Sequence, residues 1–204
     1  DLNKIMEIPT GLISQLLPDN NRTVLELIAF DLPHAIPSFD SPTEDFFNKN
    51  PPNTTSQLDL PHIPSPPLGV VKALCHELPA KVEDSYQSIR CIHTTSAKEK
   101  TYPLWIIKYW EEVDHVRIAQ RAWMKAQDSL RKTGNTWQAR GKLSSICIIT
   151  DISEGLSILP WNSCLEGFSA SAQEDMTSLV TYTSNDWLKD FHINQMLDLL
   201  QFDL

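Results

Sequence analysis

Six glycines among 204 residues are too few and too scattered for a phosphate-cradling loop, and no Gly-rich motif of that kind occurs. Metal and hydrolase signatures are missing as well. The six histidines, His34, His62, His76, His93, His115 and His192, lie far apart, with no HExxH pair or comparable spacing that would bring two imidazoles to one ion. Cysteine is sparse too: Cys75, Cys91, Cys147 and Cys164 stand 16, 56 and 17 residues apart. Zinc knuckles need closer pairs and small secreted scaffolds need more cysteines, so the plain reading is buried free thiols. No apolar run reaches the roughly 18 residues of a membrane span, and no basic-then-apolar opening marks a signal peptide. The sequence predicts no metal, no cofactor and no membrane segment, and reads as an intracellular protein, nuclear or cytoplasmic. The sequons at Asn21 and Asn53 would matter only in a secreted chain.

Proline is what the chain has in excess. Nine of the 14 prolines fall between residues 33 and 67, among Ser, Asn, Asp and Thr. Each removes a backbone donor and biases the preceding residue away from the α region, so no long regular element is expected there. The composition predicts an extended linker without persistent secondary structure, although Pro61-His62-Ile63-Pro64 also fits the PxxP docking pattern. Charge is unevenly spread around a net −9. Residues 98–142 hold ten Lys and Arg against five acids, whereas residues 143–204 hold one against nine. A basic stripe inside an acidic whole marks a solvated helix face more than a nucleic-acid footprint, so nucleic acid is not an expected partner.

Hydrophobic spacing outlines helices on both sides of the proline-rich stretch. Apolar runs at 11–17 and 23–30 read as two small helices within an N-terminal extension, residues 1–32. Val70, Val71, Leu74 and Leu78 share one face before Pro79, and Tyr86, Ile89 and Ile92 suggest a second short helix over 84–93. The strongest pattern starts at Pro103, which suits a first helical turn. It repeats through Ile106, Trp110, Val113, Arg117, Gln120, Trp123 or Met124, Gln127 and Leu130 until Gly134-Asn135. That spacing predicts a helix of roughly 29 residues, ~43 Å long. Trp105, Trp110, Trp123 and, further on, Trp161 read as structural anchors, because large aromatics at helical spacing supply buried area. Residues 143–159 fit helix or strand, with Ile146, Ile149, Ile152, Leu156 and Leu159 favouring helix. Ser171 to Glu174 has capping-box spacing ahead of Met176, Leu179, Val180 and Tyr182. The expected fold is mainly α: an irregular helical domain at 68–170, the linker at 33–67, the N-terminal extension, and a separate segment at 171–204.

The C-terminal run Trp187-Leu188-Lys189-Asp190-Phe191-His192-Ile193-Asn194-Gln195-Met196-Leu197-Asp198-Leu199-Leu200 joins an aromatic-aliphatic pair, an acid and a helix with one apolar face. This pattern resembles the segment that opens the catalytic domain of SUMO-specific and related ubiquitin-like cysteine proteases. The resemblance covers about residues 177 to 200, with Lys189 where the family usually has Asn and His192 where it usually has Ile. In that family the tryptophan lies over the tunnel that threads the modifier's C-terminal Gly-Gly tail, and the acid meets a basic residue of the modifier. Carried over, the implied modifier-binding residues are Trp187 and Asp190. An indole face clamps glycines that lack side chains, and a carboxylate forks with an arginine. Pro103 to Trp110 and Leu159 to Asn162 are similar to the helical region ahead of such domains in fungal multidomain members.

The family's catalytic His, Asp, Gln and Cys come well after its opening tryptophan, and 17 residues follow Trp187 here. The resemblance therefore implies a fragment, the non-catalytic helical region of a larger ubiquitin-like-protease-type protein, contributing at most to binding of a ubiquitin-like modifier. Asp1 in place of an initiating Met fits that expectation. A reading of another class stands beside it: an interaction or scaffold module that docks a protein partner through the long Trp-rich helix, unrelated to proteolysis. The runs Ile13-x-x-Leu16-Leu17 and Met196-x-x-Leu199-Leu200 approach the leucine boxes that bind coactivator grooves, though amphipathic packing accounts for both.

Overall fold

The computed structural model describes residues 2–36, 42–53, 63–90, 100–165, 175–184, 188, 190 and 192–196. The mainly α expectation holds. Short helices α1 (Leu2–Met6), α2 (Thr10–Leu16) and α3 (Val24–Ile28) precede the longer α4 (Leu68–Glu83), α5 (Ile106–Ala139) and α6 (Leu143–Ser157). Strands β1 (Phe47–Asn48), β2 (Ser88–Arg90) and β3 (Thr101–Pro103) form one small antiparallel sheet, and 3-10 helices occupy Thr43–Phe46 and Met176–Thr183. The chain divides into two compact units, residues 1–17 with 31–117, and residues 18–30 with 118–204. Helix α5 gives its residues up to Arg117 to the first and those from Ile118 onward to the second.

In the first unit, α4 buries Val71, Leu74 and Leu78, the face its spacing predicts. Pro79 lies inside this helix, which continues to Glu83, because a missing N–H at residue 79 removes only one i to i−4 bond. The true stop is a Schellman turn. Ser85 takes φ 66°, its N–H donates to the Val82 carbonyl at 3.1 Å, and the Tyr86 N–H donates to the Lys81 carbonyl at 3.0 Å. That reversal is why no helix forms over the described part of 84–93: the chain leaves the turn as β2, central between β1 and β3. Phe47, Ile89 and Tyr102 stand in register across the three strands and are all buried, forming the core-facing row of the sheet. Pro103 ends β3 and does not start the helix, which begins at Ile106.

The proline-rich stretch also departs from a featureless linker. Its described residues hold no long element, as the prolines dictate, but Phe46 is buried edge-on to Trp110 with ring centroids 6.4 Å apart. The Ser65 N–H donates to the His34 carbonyl and the Ile36 N–H to the Ser65 carbonyl, both at 3.0 Å. Arg117 donates to the Pro33 carbonyl at 2.7 Å. Enough apolar side chains are interspersed among the prolines to give the segment a stake in the core. Pro61 and His62 of the PxxP pattern lie outside the described residues.

In the second unit, α3 opens with a capping box. Thr23 Oγ1 accepts the Glu26 N–H at 3.2 Å while the Glu26 carboxylate accepts the Thr23 N–H at 2.8 Å. The Val24 N–H donates to the Leu159 carbonyl at 2.8 Å, and the buried Trp161 donates its indole N–H to the Asp19 carbonyl at 2.9 Å. Helix α5 runs 34 residues, longer than its pattern suggested, passing straight through Gly134 and Asn135. A glycine inside a helix costs only ~1 kcal/mol, which neighbouring packing offsets. The stop falls at Gly141, φ 70°, whose N–H donates to Gln138 and which lets the Lys142 N–H reach Trp137, both at 3.0 Å. Trp123, not Met124, faces inward. The ambiguous stretch after it is helix α6. From Met176 the next element is 3-10, and Ser171 to Glu174, the expected capping box, lie outside the described residues.

Candidate functional site

Of the two residues implied to touch a modifier, Trp187 lies outside the described residues and Asp190 is exposed at a helical position. The same short helix turns His192 and Gln195 inward, where both are buried. Tyr182 holds them. Its hydroxyl lies 2.9 Å from the His192 carbonyl and 2.8 Å from Gln195 Oε1, and its ring meets the His192 ring edge-on at 4.9 Å. A His192 ring nitrogen sits 3.2 Å from the Ser178 carbonyl. Residues 192–196 are thereby anchored on one side, leaving Leu188 and Asp190 facing out.

The tryptophans read as anchors are mostly inside: Trp110, Trp123 and Trp161 are buried, and Trp105 is half-buried. Trp110 and Trp123 thus face the interior of the chain, while Trp105 just before α5 and Trp137 near its end are half-buried. In the first leucine-box run Leu16 and Leu17 are buried and only Ile13 is exposed, while Leu199 and Leu200 lie outside the described residues.

An aliphatic groove occupies the second unit instead. Helix α6 carries Ile146, Ile148, Ile149, Ile152 and Leu156, yet none of residues 144–157 is buried. Ile149, Ile152 and Leu156 recur at three- and four-residue spacing and so share a face. With Leu130 of α5 and Leu179 and Tyr182 of the 3-10 helix they line a cavity of about 320 Å³. Ser129 donates its hydroxyl to the Thr183 carbonyl, fixing the end of the 3-10 helix against α5 at the groove's edge. A wider cleft of about 450 Å³ continues from Leu130 and Ile149 past Gln127, Arg131 and Glu154. Ile148 is 56 % exposed and Ile152 41 % exposed. Sequence periodicity found the α6 face but not the groove. The one signal for it was Ile148, an aliphatic residue too many for a single buried stripe.

Cys75 is not an activated thiol. Burial and, behind it, the Glu111 carboxylate push the half-buried Cys75 thiol up, with Lys108 opposing them, whereas a catalytic cysteine needs its pKa lowered. Cys147 and Cys164 are exposed free thiols, and Cys91 lies outside the described residues. Among the described residues no group of His, Cys, Asp and Glu is placed to hold a metal ion, and no helix is long and apolar enough to cross a membrane. Comparison with protein-family models, with curated proteins and with solved structures gives no match.

Proposed function

We propose that this chain is a non-catalytic protein-binding module whose docking surface is the aliphatic groove between α5, α6 and the 3-10 helix. The observation that carries this reading is α6: an isoleucine-rich helix with no buried residue over 144–157, flanking a cavity lined by Leu130, Ile149, Ile152, Leu156, Leu179 and Tyr182. Aliphatic surface left in this state gains free energy when a partner removes it from water, by about 25 cal/mol per Å². Among the described residues the polar side chains of the lining are the hydroxyls of Thr133, Tyr182 and Thr183, with no charged group to hold a nucleotide, and the cavity's size suits one or two large apolar side chains presented by a helix laid in the groove. The test is selection of binding peptides from a display library on the purified chain, followed by titration of the selected peptides. Ile152→Glu, at an already exposed position, should abolish binding while leaving the circular dichroism spectrum unchanged. Failure to select any aliphatic peptide, or binding indifferent to Ile152→Glu, ends this reading.

A second reading is favoured by the outward placement of Asp190 beside the anchored residues 192–196. On the resemblance to ubiquitin-like proteases, the segment from Trp187 to Leu200 would contribute to binding of a ubiquitin-like modifier within a larger protein of that type. Titration with a ubiquitin-like modifier separates the two. Affinity lost in Asp190→Ala and kept in Ile152→Glu supports the modifier; absence of binding by the unaltered chain removes it.

A further inference from the structure

A different face of the second unit carries a different chemistry. From Ile118 to Ala139, α5 holds Arg121, Lys125, Arg131 and Lys132 against one carboxylate, Asp128, in a chain of net charge −9. Arg121, Lys125 and Lys132 follow one another at four- and seven-residue spacing and therefore share a helix face, on which all three are exposed. Asp128 meets Arg131 and Lys132 at 2.5 Å each and Lys125 has an interaction of its own, but these are contacts of solvent-exposed side chains, of the kind that contribute little and exchange partners readily. Alongside them runs a shallow depression of about 500 Å³ lined by Ile28, Met124, Lys125, Gln127, Asp128 and Arg131. Met124 is 50 % exposed, and Leu25, one turn before Ile28 on α3, is 58 % exposed. The end of α3 is tied to α5 by Gln120, whose side-chain amide donates to the Leu27 and Phe30 carbonyls at 2.9 Å each.

We propose that this face docks an acidic amphipathic segment of a partner protein, with aliphatic side chains over Ile28 and Met124 and carboxylates on Arg121, Lys125 and Arg131. Charge sets the sign of the partner: a concentrated cationic face on an otherwise acidic chain attracts an anionic segment locally and repels it elsewhere, which fixes where it lands. The aliphatic floor sets its class. A single-stranded nucleic acid binds through stacking on exposed aromatic rings as well as through phosphate contacts, and among the described residues the lining of this depression is aliphatic and polar with no ring. A long polyanion would also meet the acidic remainder of the chain. The face is distinct from the aliphatic groove, although Gln127 and Arg131 border the cleft adjoining it as well.

The experiment titrates the full chain into a fluorescent synthetic peptide of about 16 residues, with Leu at i, i+3, i+4 and i+7 and Asp or Glu elsewhere. A matched basic peptide and a single-stranded oligonucleotide of equal charge serve as the other probes. The acidic peptide should bind, should weaken as salt is raised to about 0.5 M, and should lose at least tenfold in affinity with Arg121→Glu/Lys125→Glu. Arg121→Lys/Lys125→Arg should bind within about twofold of the unaltered chain, and Ile152→Glu should leave this affinity unchanged. Absence of acidic-peptide binding overturns the proposal, as does an affinity untouched by charge reversal. So does tighter binding of the oligonucleotide, which would make this a polyanion site, or loss of the peptide with Ile152→Glu, which would place it in the groove.

Discussion

Replacing Arg117 with Met removes a guanidinium 8 % exposed that donates to the Asp114 carboxylate and, at 2.7 Å, to the Pro33 carbonyl. Asp114 itself is 7 % exposed, so the substitution strips a buried carboxylate of its cation. Breaking one side of a buried ion pair costs about 3–5 kcal/mol, whereas replacing both members by apolar groups is often neutral. At about 2–4 °C per kcal/mol for a chain of this size, Arg117→Met should lower the melting temperature by roughly 6–20 °C. Asp114→Leu/Arg117→Met should recover about half of that loss, the rest being the Pro33 hydrogen bond, worth about 1.5–3 kcal/mol to a charged donor. Urea unfolding followed by tryptophan fluorescence gives the two free energies, and amide exchange at His34 to Ile36 should quicken in both variants because both lose the Pro33 anchor. A single variant no less stable than the double would show that the pair is solvated and that the reasoning from burial is wrong.

The purified chain should not cleave fluorogenic ubiquitin-like precursors, and Cys75 should alkylate with iodoacetamide only as pH passes above the ordinary thiol value, since burial pushes its thiol up. A Cys75 rate that plateaus below that value, or turnover abolished by one Cys→Ala change, contradicts this. The backbone N–H and hydroxyl of Thr23 hold the Glu26 carboxyl below its ordinary value of 4.5. A carboxylate with a depressed folded pKa stabilises above its unfolded pKa, so the contribution should be complete above about pH 5 and vanish as pH falls through the lower folded value. Thr23→Ala should flatten that acid dependence in urea titrations; an unchanged pH profile would show that the capping box does not persist in solution.

Helical faces were legible because their signal is local. Val71, Leu74 and Leu78, and the stripe from Ile106 to Leu130, repeat at the helical period and are buried or half-buried as that period requires. The ends of α4 and α5 were not, because both stop in turns whose bonds span six residues. At Ser85 no glycine announces the positive φ, and at Gly134 a glycine announces a stop that neighbouring packing overrides. Strands of two and three residues are too short to show alternation, so β1 to β3 are fixed only by the meeting of Phe47, Ile89 and Tyr102. The groove was hidden for another reason. It depends on what α6 fails to bury, and a sequence states which side chains are apolar without stating which find a partner within the chain.

Tyr182 joins the two candidate surfaces of the second unit, and this yields a prediction that neither surface makes alone. Its ring lines the aliphatic groove, while its hydroxyl reaches the His192 carbonyl and Gln195 and so fixes the helix that displays Asp190. A side chain entering the groove must pack against that ring, and a shift of the ring moves the hydroxyl. Amide exchange across residues 192–196 should therefore change when a groove-binding peptide is added, even though the peptide touches none of those residues. Tyr182→Phe keeps the ring and removes the link. It should leave peptide affinity within about twofold, destabilise the short helix by about 0.5–1.5 kcal/mol for each lost net hydrogen bond, and abolish the peptide's effect on exchange there. If the exchange response survives in Tyr182→Phe, the coupling runs through the packing of Leu179 or Thr183, and the phenol is only a local clamp.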